Sequence, residues 1–287
     1  MPAALSTLIS PTRRSTLAIA VIAGFLGALP LSSPALAEAG ARPNLDVPYV
    51  PTPEDVVARM LSIADVGNRD FVIDLGSGDG RIAIAAVKDR GARGALGVDI
   101  DPTRVNEAQL NAKAAGVSDA VEFRQQNLFE TQLDKASVIT MYLLPRINLE
   151  LRPRLLDLKP GTRLVSHAFT MGDWGPDATA RVGNNDIYFW YVPAKVEGRW
   201  NVQAADGNFT IDLTQQFQKI TGTALVGGAS LPLRDTRLEG DRLDFNIEVS
   251  PGKVVTYSGK VDGNSIEALS ATKTDPRRAT GWRATRS

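Results

Sequence analysis

Three glycines at alternate positions, Gly76, Gly78 and Gly80, follow the apolar run Phe71 to Leu75 and precede Arg81. A turn of this kind between a strand and a helix lets backbone approach a ligand closely and presents helix N–H groups. A dinucleotide pyrophosphate asks for G-x-G-x-x-G, and the third glycine here comes one position too early, which favours a smaller, nucleoside-type ligand. Two acids accompany the turn. Asp74 lies two residues before Gly76 and faces the crevice at the strand's end, and Asp99 closes the run "LGVD", where a carboxylate can accept both ribose hydroxyls. A solvated strand end or a helix cap is the simpler alternative for Asp99, although Asp101, directly before Pro102, is the better cap. Other reactive groups are few: His167 is the only histidine, and the absence of cysteine excludes disulfides, thiolate metal sites and cysteine nucleophiles. No metal site is expected.

The pattern around these residues supplies a frame. Pro53, Glu54 and Asp55 after Thr52 read as a helix start with Thr52 as N-cap, and Val56, Val57, Met60, Leu61 and Ala64 recur at helical spacing. Strand Phe71–Leu75, helix Arg81–Lys88, strand Ala95–Val98, helix Thr103–Ala115 and strand Val121–Arg124 follow. Strand Val138–Leu143, a short helix Asn148–Leu156 and strand Arg163–Phe169 complete the series. Such alternation implies a parallel sheet covered on both faces, with ligands bound beyond the carboxyl ends of its strands. After "DIYFWYVPA" the pattern changes to short alternating runs with Gly-Asn, Gly-Asp or Asp-Gly turns, from "GRWNVQ" to "GWRATR". These read as an antiparallel meander or small barrel over residues 194–287, for packing or docking, with the boundary near Pro193.

The chain opens with Arg13-Arg14, an apolar run from Leu17 to Leu31 and "SPALA" ending at Ala37. That is the layout of a secretory leader over residues 1–37, cleaved after Ala37; a mitochondrial presequence is the alternative. "TRRSTL" partly resembles a twin-arginine export signal. The expectation is therefore an exported, periplasmic protein with no integral membrane segment once the leader is removed. The leader takes two of the 32 basic residues and none of the 32 acidic ones, so the remainder has no basic surplus to suggest nucleic acid or an anionic membrane.

"DLGSGDGR" and "GVDID" resemble the first and second motifs of class I S-adenosylmethionine (SAM) dependent methyltransferases. The resemblance is closer to one branch, the lysine methyltransferases that modify the mitochondrial ATP synthase c-subunit and the adenine nucleotide translocase, with their bacterial relatives. It is carried by "VPYVPTPEDVVARML", "DLGSGDGRIAIAA", "YLLP" and "SHAFTMGDWGPD", and spans Val47 to Pro193. It implies an α/β fold: a Rossmann-like, mostly parallel methyltransferase sheet over residues 38–193, followed by the antiparallel β-rich module. It implies SAM as cofactor, with Asp74, Gly76, Gly78 and Gly80 at its methionine end and Asp99 on the ribose. Asn127 falls near the adenine, where the family usually carries aspartate. Ala168 and Thr170 replace two carboxylates of the bacterial pattern "SHDFDMGDW".

Methyl transfer to an amine needs positioning more than a nucleophile, but a lysine acceptor must be neutral. Tyr142, at the end of the fourth strand, is the candidate to orient the amine, with packing as the alternative. His167 is either a base or a satisfied structural residue. Tyr49 and Pro51 lid the cofactor or form an ordered strap; Asp173 and Trp174 lie over the acceptor site, or Trp174 is clamped on the core. Three readings follow: a protein-lysine N-methyltransferase with a protein partner and no nucleic acid, a small-molecule methyltransferase, or an exported SAM-binding or scaffold protein without turnover.

Overall fold

The structure is a computed structural model that describes residues 49–269 and 278–287; the expected leader lies outside the described residues. The first half comprises α1 (Glu54–Ile63), β1 (Phe71–Leu75), α2 (Arg81–Lys88), β2 (Gly94–Asp99), α3 (Pro102–Ala115) and β3 (Val121–Gln125). It continues with β4 (Val138–Met141), α4 (Pro145–Leu156), β5 (Arg163–His167), β6 (Ala178–Val182) and β7 (Asn185–Tyr191). The sheet order is β3-β2-β1-β4-β5-β7-β6, parallel from β3 to β5, with β7 antiparallel to β5 and β6 antiparallel to β7. Alternation along the strands fills both faces, as the period of two requires. Val72, Val138 and Val165 pack with α1, α2 and α3, whereas Ile73, Leu75, Ile139, Met141 and Leu164 pack with α4. Strand order reverses between β1 and its neighbours β2 and β4, so a crevice opens beyond their carboxyl ends.

Several boundaries differ from expectation for local reasons. Helix α1 begins after Pro53, and Thr52 makes no cap; its hydroxyl is bonded elsewhere. Pro145, with its φ preset for a first turn, starts α4 three residues before the expected Asn148. Strand β4 ends at Met141, two residues short, and β5 ends at His167 because Ala168 takes φ +64. The hairpin of β6 and β7 extends the same sheet, so "DIYFWY" belongs to it.

The second half holds β8 (Gly198–Ala204), β9 (Gly207–Gln216), β10 (Lys219–Val226), β11 (Ala229–Pro232), β12 (Arg234–Glu239), β13 (Arg242–Ser250), β14 (Lys253–Asp262), β15 (Ser265–Ala268) and β16 (Arg283–Arg286). All pairings are antiparallel, in the order β11-β10-β9-β8-β16-β15-β14-β13-β12. The two ends of that order, β11 and β12, are separated only by Leu233, whose N–H continues the ladder onto Gly222 O. They form one bent stave paired with β10 on one side and β13 on the other, so the ring of strands closes. Closure removes the exposed edges that an open sheet would leave. Trp200, Trp282, Phe245 and Tyr257 fill the interior. Among the described residues no helix is long and apolar enough to cross a membrane.

The barrel interior has no slack at Gly259, where a Cβ would lie 2.5 Å from Ile266 Cγ2 and 2.8 Å from Trp282 Cη2. Gly259→Ala is expected to lower stability by about 1–3 kcal/mol through overpacking, seen as a lower urea midpoint with unchanged slope. An unchanged midpoint would refute tight filling at this position.

Candidate active site

The glycine turn closes on itself. Gly76 N and Ser77 N both donate to Val98 O at 2.9 Å, and Gly80 N donates to Ser77 O at 2.9 Å. Gly78 N donates to Asp99 Oδ2, also at 2.9 Å. The N–H groups of these four turn residues, which precede the helix, are therefore spent within the protein, and the turn itself is no phosphate cradle. Gly76 and Gly78 border a cavity of about 360 Å³ at the ends of β1, β2 and β4. A Cβ at Gly76 would lie 2.9 Å from Leu143 Cδ2, and one at Gly78 would strike the Tyr49 ring. Gly80 is a correction to the expected set. It faces away from the cavity, against Phe123 and Ala108, and lets α2 pack closely on α3 and β3.

One sector of the cavity is acidic. Asp74 is 2% exposed, and its Oδ1 accepts from Thr140 Oγ1 at 2.7 Å, while its buried Oδ2 has no hydrogen-bond partner. Burial pushes its pKa up to about 7, with Asp99 and Asp79 acting the same way and the Thr140 bond opposing. Asp99 accepts from Gly78 N and, through Oδ1, from Asp101 N at 2.9 Å. Asp101 caps α3 through Thr103 N, as expected. Asn127 borders the cavity, but its Oδ1 accepts from Phe129 N at 3.0 Å to cap the short turn Leu128–Glu130. One lone pair of that oxygen is thereby used, and the other is left for a ligand in the cavity.

The other sector is apolar and aromatic: Val50, Pro51, Tyr142, Leu143, Leu144 and Phe169. Tyr142 stands over His167, ring centroids 3.9 Å apart, and stacks on Phe169 at 6.1 Å. His167 itself is buried, borders no part of the cavity, and has both nitrogens occupied. Nε2 lies 3.1 Å from the acceptor Asn185 Oδ1 and so carries the proton, leaving Nδ1 to accept from Thr52 Oγ1 at 3.2 Å. Burial lowers its pKa, against the Asn185 bond, which keeps the ring neutral. Of the two readings of His167, base or structural residue, the geometry favours the structural one: the ring is a support beneath Tyr142 and a latch for the segment at Thr52.

That segment covers the cavity. Tyr49 lies between Gly78 and the Arg104 guanidinium, 4.6 Å from its ring centroid. Arg81 Nη1 donates to Thr52 O at 2.9 Å while pairing with Asp79. Trp174 is fully buried beside Trp190 and Phe217, and Asp173 pairs with Arg152 at the surface, so neither walls an acceptor channel. Sequence reasoning missed Asn148, whose buried Nδ2 donates to Phe169 O at 3.4 Å and Thr170 O at 3.3 Å and so pins the loop that brings Phe169 to the cavity. Its place one turn into a helix that starts at Pro145 was the available signal.

Residues 74–178 match the family described as the ANTKMT methyltransferase domain. The chain is 45% identical over 151 residues to a protein-lysine N-methyltransferase of Saccharolobus islandicus, covering 51% of this chain and 94% of the relative. It is 34% identical over 150 residues to the adenine nucleotide translocase lysine N-methyltransferase of Mus musculus, covering 52% of this chain and 65% of that protein. Among solved structures it resembles an RNA methyltransferase from Salinibacter ruber in complex with S-adenosyl-L-homocysteine, at 52% identity and TM-score 0.50, covering 51% of this chain and 96% of the other. The residues fit the cofactor these relatives imply: an orphaned, buried Asp74 oxygen suits an ammonium, and the glycines leave room that side chains would fill.

Asp74 also sets a pH dependence. Its pKa is raised in the folded state, so the fold binds this proton more tightly than the unfolded chain does. Its contribution is complete near pH 4 and is lost as pH rises through about 7. The stability difference between Asp74→Asn and the native chain should therefore grow in the variant's favour from pH 4 to 7 and level off above. Urea midpoints of both proteins across that range check this, and a pH-independent difference would refute it.

Proposed function

The chain belongs to the methyltransferase family that carries the ANTKMT domain, and from that premise we propose that it methylates the side-chain amine of a protein lysine, with SAM as donor. The observation that carries the reading is the buried Asp74 carboxylate, one oxygen unpartnered, at the edge of a cavity whose turn keeps its N–H groups for itself. Such a site selects a cation and disfavours a phosphate. When bound, SAM supplies a methyl group on a sulfonium, and its transfer to an amine is an in-line displacement that needs no protein nucleophile.

In this reading Asp74 receives the methionine ammonium, Asp99 the ribose hydroxyls, and the backbone at Gly76 and Gly78 allows the close approach. Tyr142 and Phe169 flank the acceptor. Their sector contributes no carboxylate and no histidine. Deprotonation of an acceptor lysine, ordinarily near pKa 10.4, then rests on desolvation, which lowers an amine's pKa. The released proton leaves to water. A second reading takes an RNA base as acceptor, on the strength of the Salinibacter ruber relative's description; the even balance of 32 basic and 32 acidic residues weighs against it. We also place the protein outside the cytosol, on the leader pattern ending at Ala37.

Calorimetric titration of SAM and S-adenosyl-homocysteine into the purified chain should give binding where NAD gives none. Asp99→Ala should weaken SAM by about tenfold or more, roughly 1.4 kcal/mol, with circular dichroism unchanged; equal affinity would refute the ribose assignment. Tritiated SAM with a protein extract and with RNA separates the acceptors: label recovered as methyl-lysine supports the first reading, and label in nucleosides replaces it with the second. N-terminal sequencing of the chain recovered outside the cytosol should start at Glu38; an intact chain confined to the cytosol would remove the export reading.

A further inference from the structure

The loop between β5 and β6 passes from the cavity wall at Phe169 to Asp177; its outer half is held by β7, where Trp190 Nε1 donates to Trp174 O at 3.0 Å, and also from the second half of the chain. Trp174 is fully buried, and its Nε1 has no hydrogen-bond partner, so ring contacts orient it. Those contacts are Trp190 of β7, at 6.1 Å, and Phe217 of the β9–β10 turn, at 5.9 Å and 18°. The next barrel residue, Gln218, donates from Nε2 to Gly175 O at 2.6 Å. Arg152 of α4 joins the two partners: its guanidinium lies 5.5 Å from the Phe217 ring centroid, and Nη1 donates to Met171 O at 2.9 Å. Met171 is bridged to Trp174 across the bend of the loop.

The barrel turn that makes these contacts is itself fixed. Phe217 holds φ +56 at the turn. The side chain of Gln215 donates to Phe217 O at 2.7 Å and to Ala194 O at 2.8 Å, and accepts from Val196 N at 2.7 Å. One amide therefore locks the turn to the segment joining the two halves.

From this arrangement we infer that the barrel is a clamp on the acceptor side of the site, with Phe217 as a positioning residue. It acts through Trp174, and the Met171 bridge carries its effect to Phe169. The glycine turn and Asp99 lie on a different element and carry no barrel contact in this chain of interactions. The clamp thus tunes the wall that meets the acceptor and leaves the cofactor end alone, an inference that rests on the assignment of the Tyr142 and Phe169 sector to the acceptor.

The test uses the full chain with Phe217→Ala, Phe217→Tyr and, should the first fail to fold, Gln218→Ala. Hydrogen exchange in residues 168–176 should rise by about tenfold in Phe217→Ala and stay native in Phe217→Tyr, while β1 and β2 keep their protection. S-adenosyl-homocysteine affinity should stay within about twofold, while transfer from tritiated SAM to poly-L-lysine falls by about tenfold. Unchanged exchange in 168–176, or cofactor affinity falling as far as transfer, would overturn the clamp. If the native chain leaves poly-L-lysine unlabelled, the lysine reading fails on that probe, and the exchange and affinity results still decide the clamp.

Discussion

The hydrogen bond from Gly78 N to Asp99 Oδ2 joins the ends of two parallel strands, and the site depends on it. Leu75 and Val98 are register partners, so the chain leaving β1 runs directly against β2, and Val98 O takes the N–H groups of Gly76 and Ser77. Asp99, one residue on, is then presented to Gly78. A turn satisfied in this way offers no donors to an anion. What it shows the cavity is carboxylate: Asp74 from β1, Asp79 from the turn and Asp99 from β2. The backbone pairing thus leaves Asp74 and Asp99 as the two of these three acids not paired with an arginine among the described residues, since Asp79 is held by Arg81, and they suit a cation better than an anion.

The cover over this pocket is tied to its floor by groups far apart in sequence. Thr52 sits between Arg81, which donates to its carbonyl, and His167, whose Nδ1 accepts from its hydroxyl. Neutral His167 suits that position because a single ring proton satisfies Asn185 and the other nitrogen remains an acceptor. Burial, which disfavours the charged ring, therefore also preserves the latch. The same ring supports Tyr142, so the cover and the aromatic wall of the cavity share one support.

The sequence pattern made the first half legible because strand and helix periods alternate there and both faces of β1, β4 and β5 carry apolar residues. Glycine spacing located the turn, yet could not say which glycine faces ligand. That depends on Phe123 and Ala108, which arrive from β3 and α3 and claim Gly80. The apolar run 138–143 reads as one strand because Leu143 is as buried as a strand residue, although it packs beyond the sheet's end. The roles of His167 and Trp174 were left open by type and position alone. Their partners Thr52 and Phe217 lie 115 and 43 residues away, distances at which local pattern carries no information. Strands β11 and β12 carry little local signal: "ASLPLRDTRLE" has a proline and little alternation, and its role as the closing stave exists only once β10 and β13 flank it.

The two departures at Ala168 and Thr170 bear on how the halves cooperate. Ala168 holds φ +64, a conformation that aspartate adopts more readily than alanine, so the bend is imposed by its surroundings. Asn148 supplies part of that imposition by holding the carbonyls of Phe169 and Thr170. On the proposed reading, with no carboxylate at either position to attract an acceptor ammonium or take its proton, desolvation is what favours the neutral amine beside Tyr142 and Phe169. Desolvation needs walls that do not yield, because a loop that opens readmits water and restores the charge. A rigid Phe169 matters more here than it would beside an acid. The loop is pinned by Asn148 at its inner end, by Arg152 at its middle and by Phe217 and Gln218 at its outer end, and only the last pair comes from the barrel. Without charge at these two positions, the wall at Phe169 is held by packing and hydrogen bonds from Asn148, Arg152 and the barrel turn.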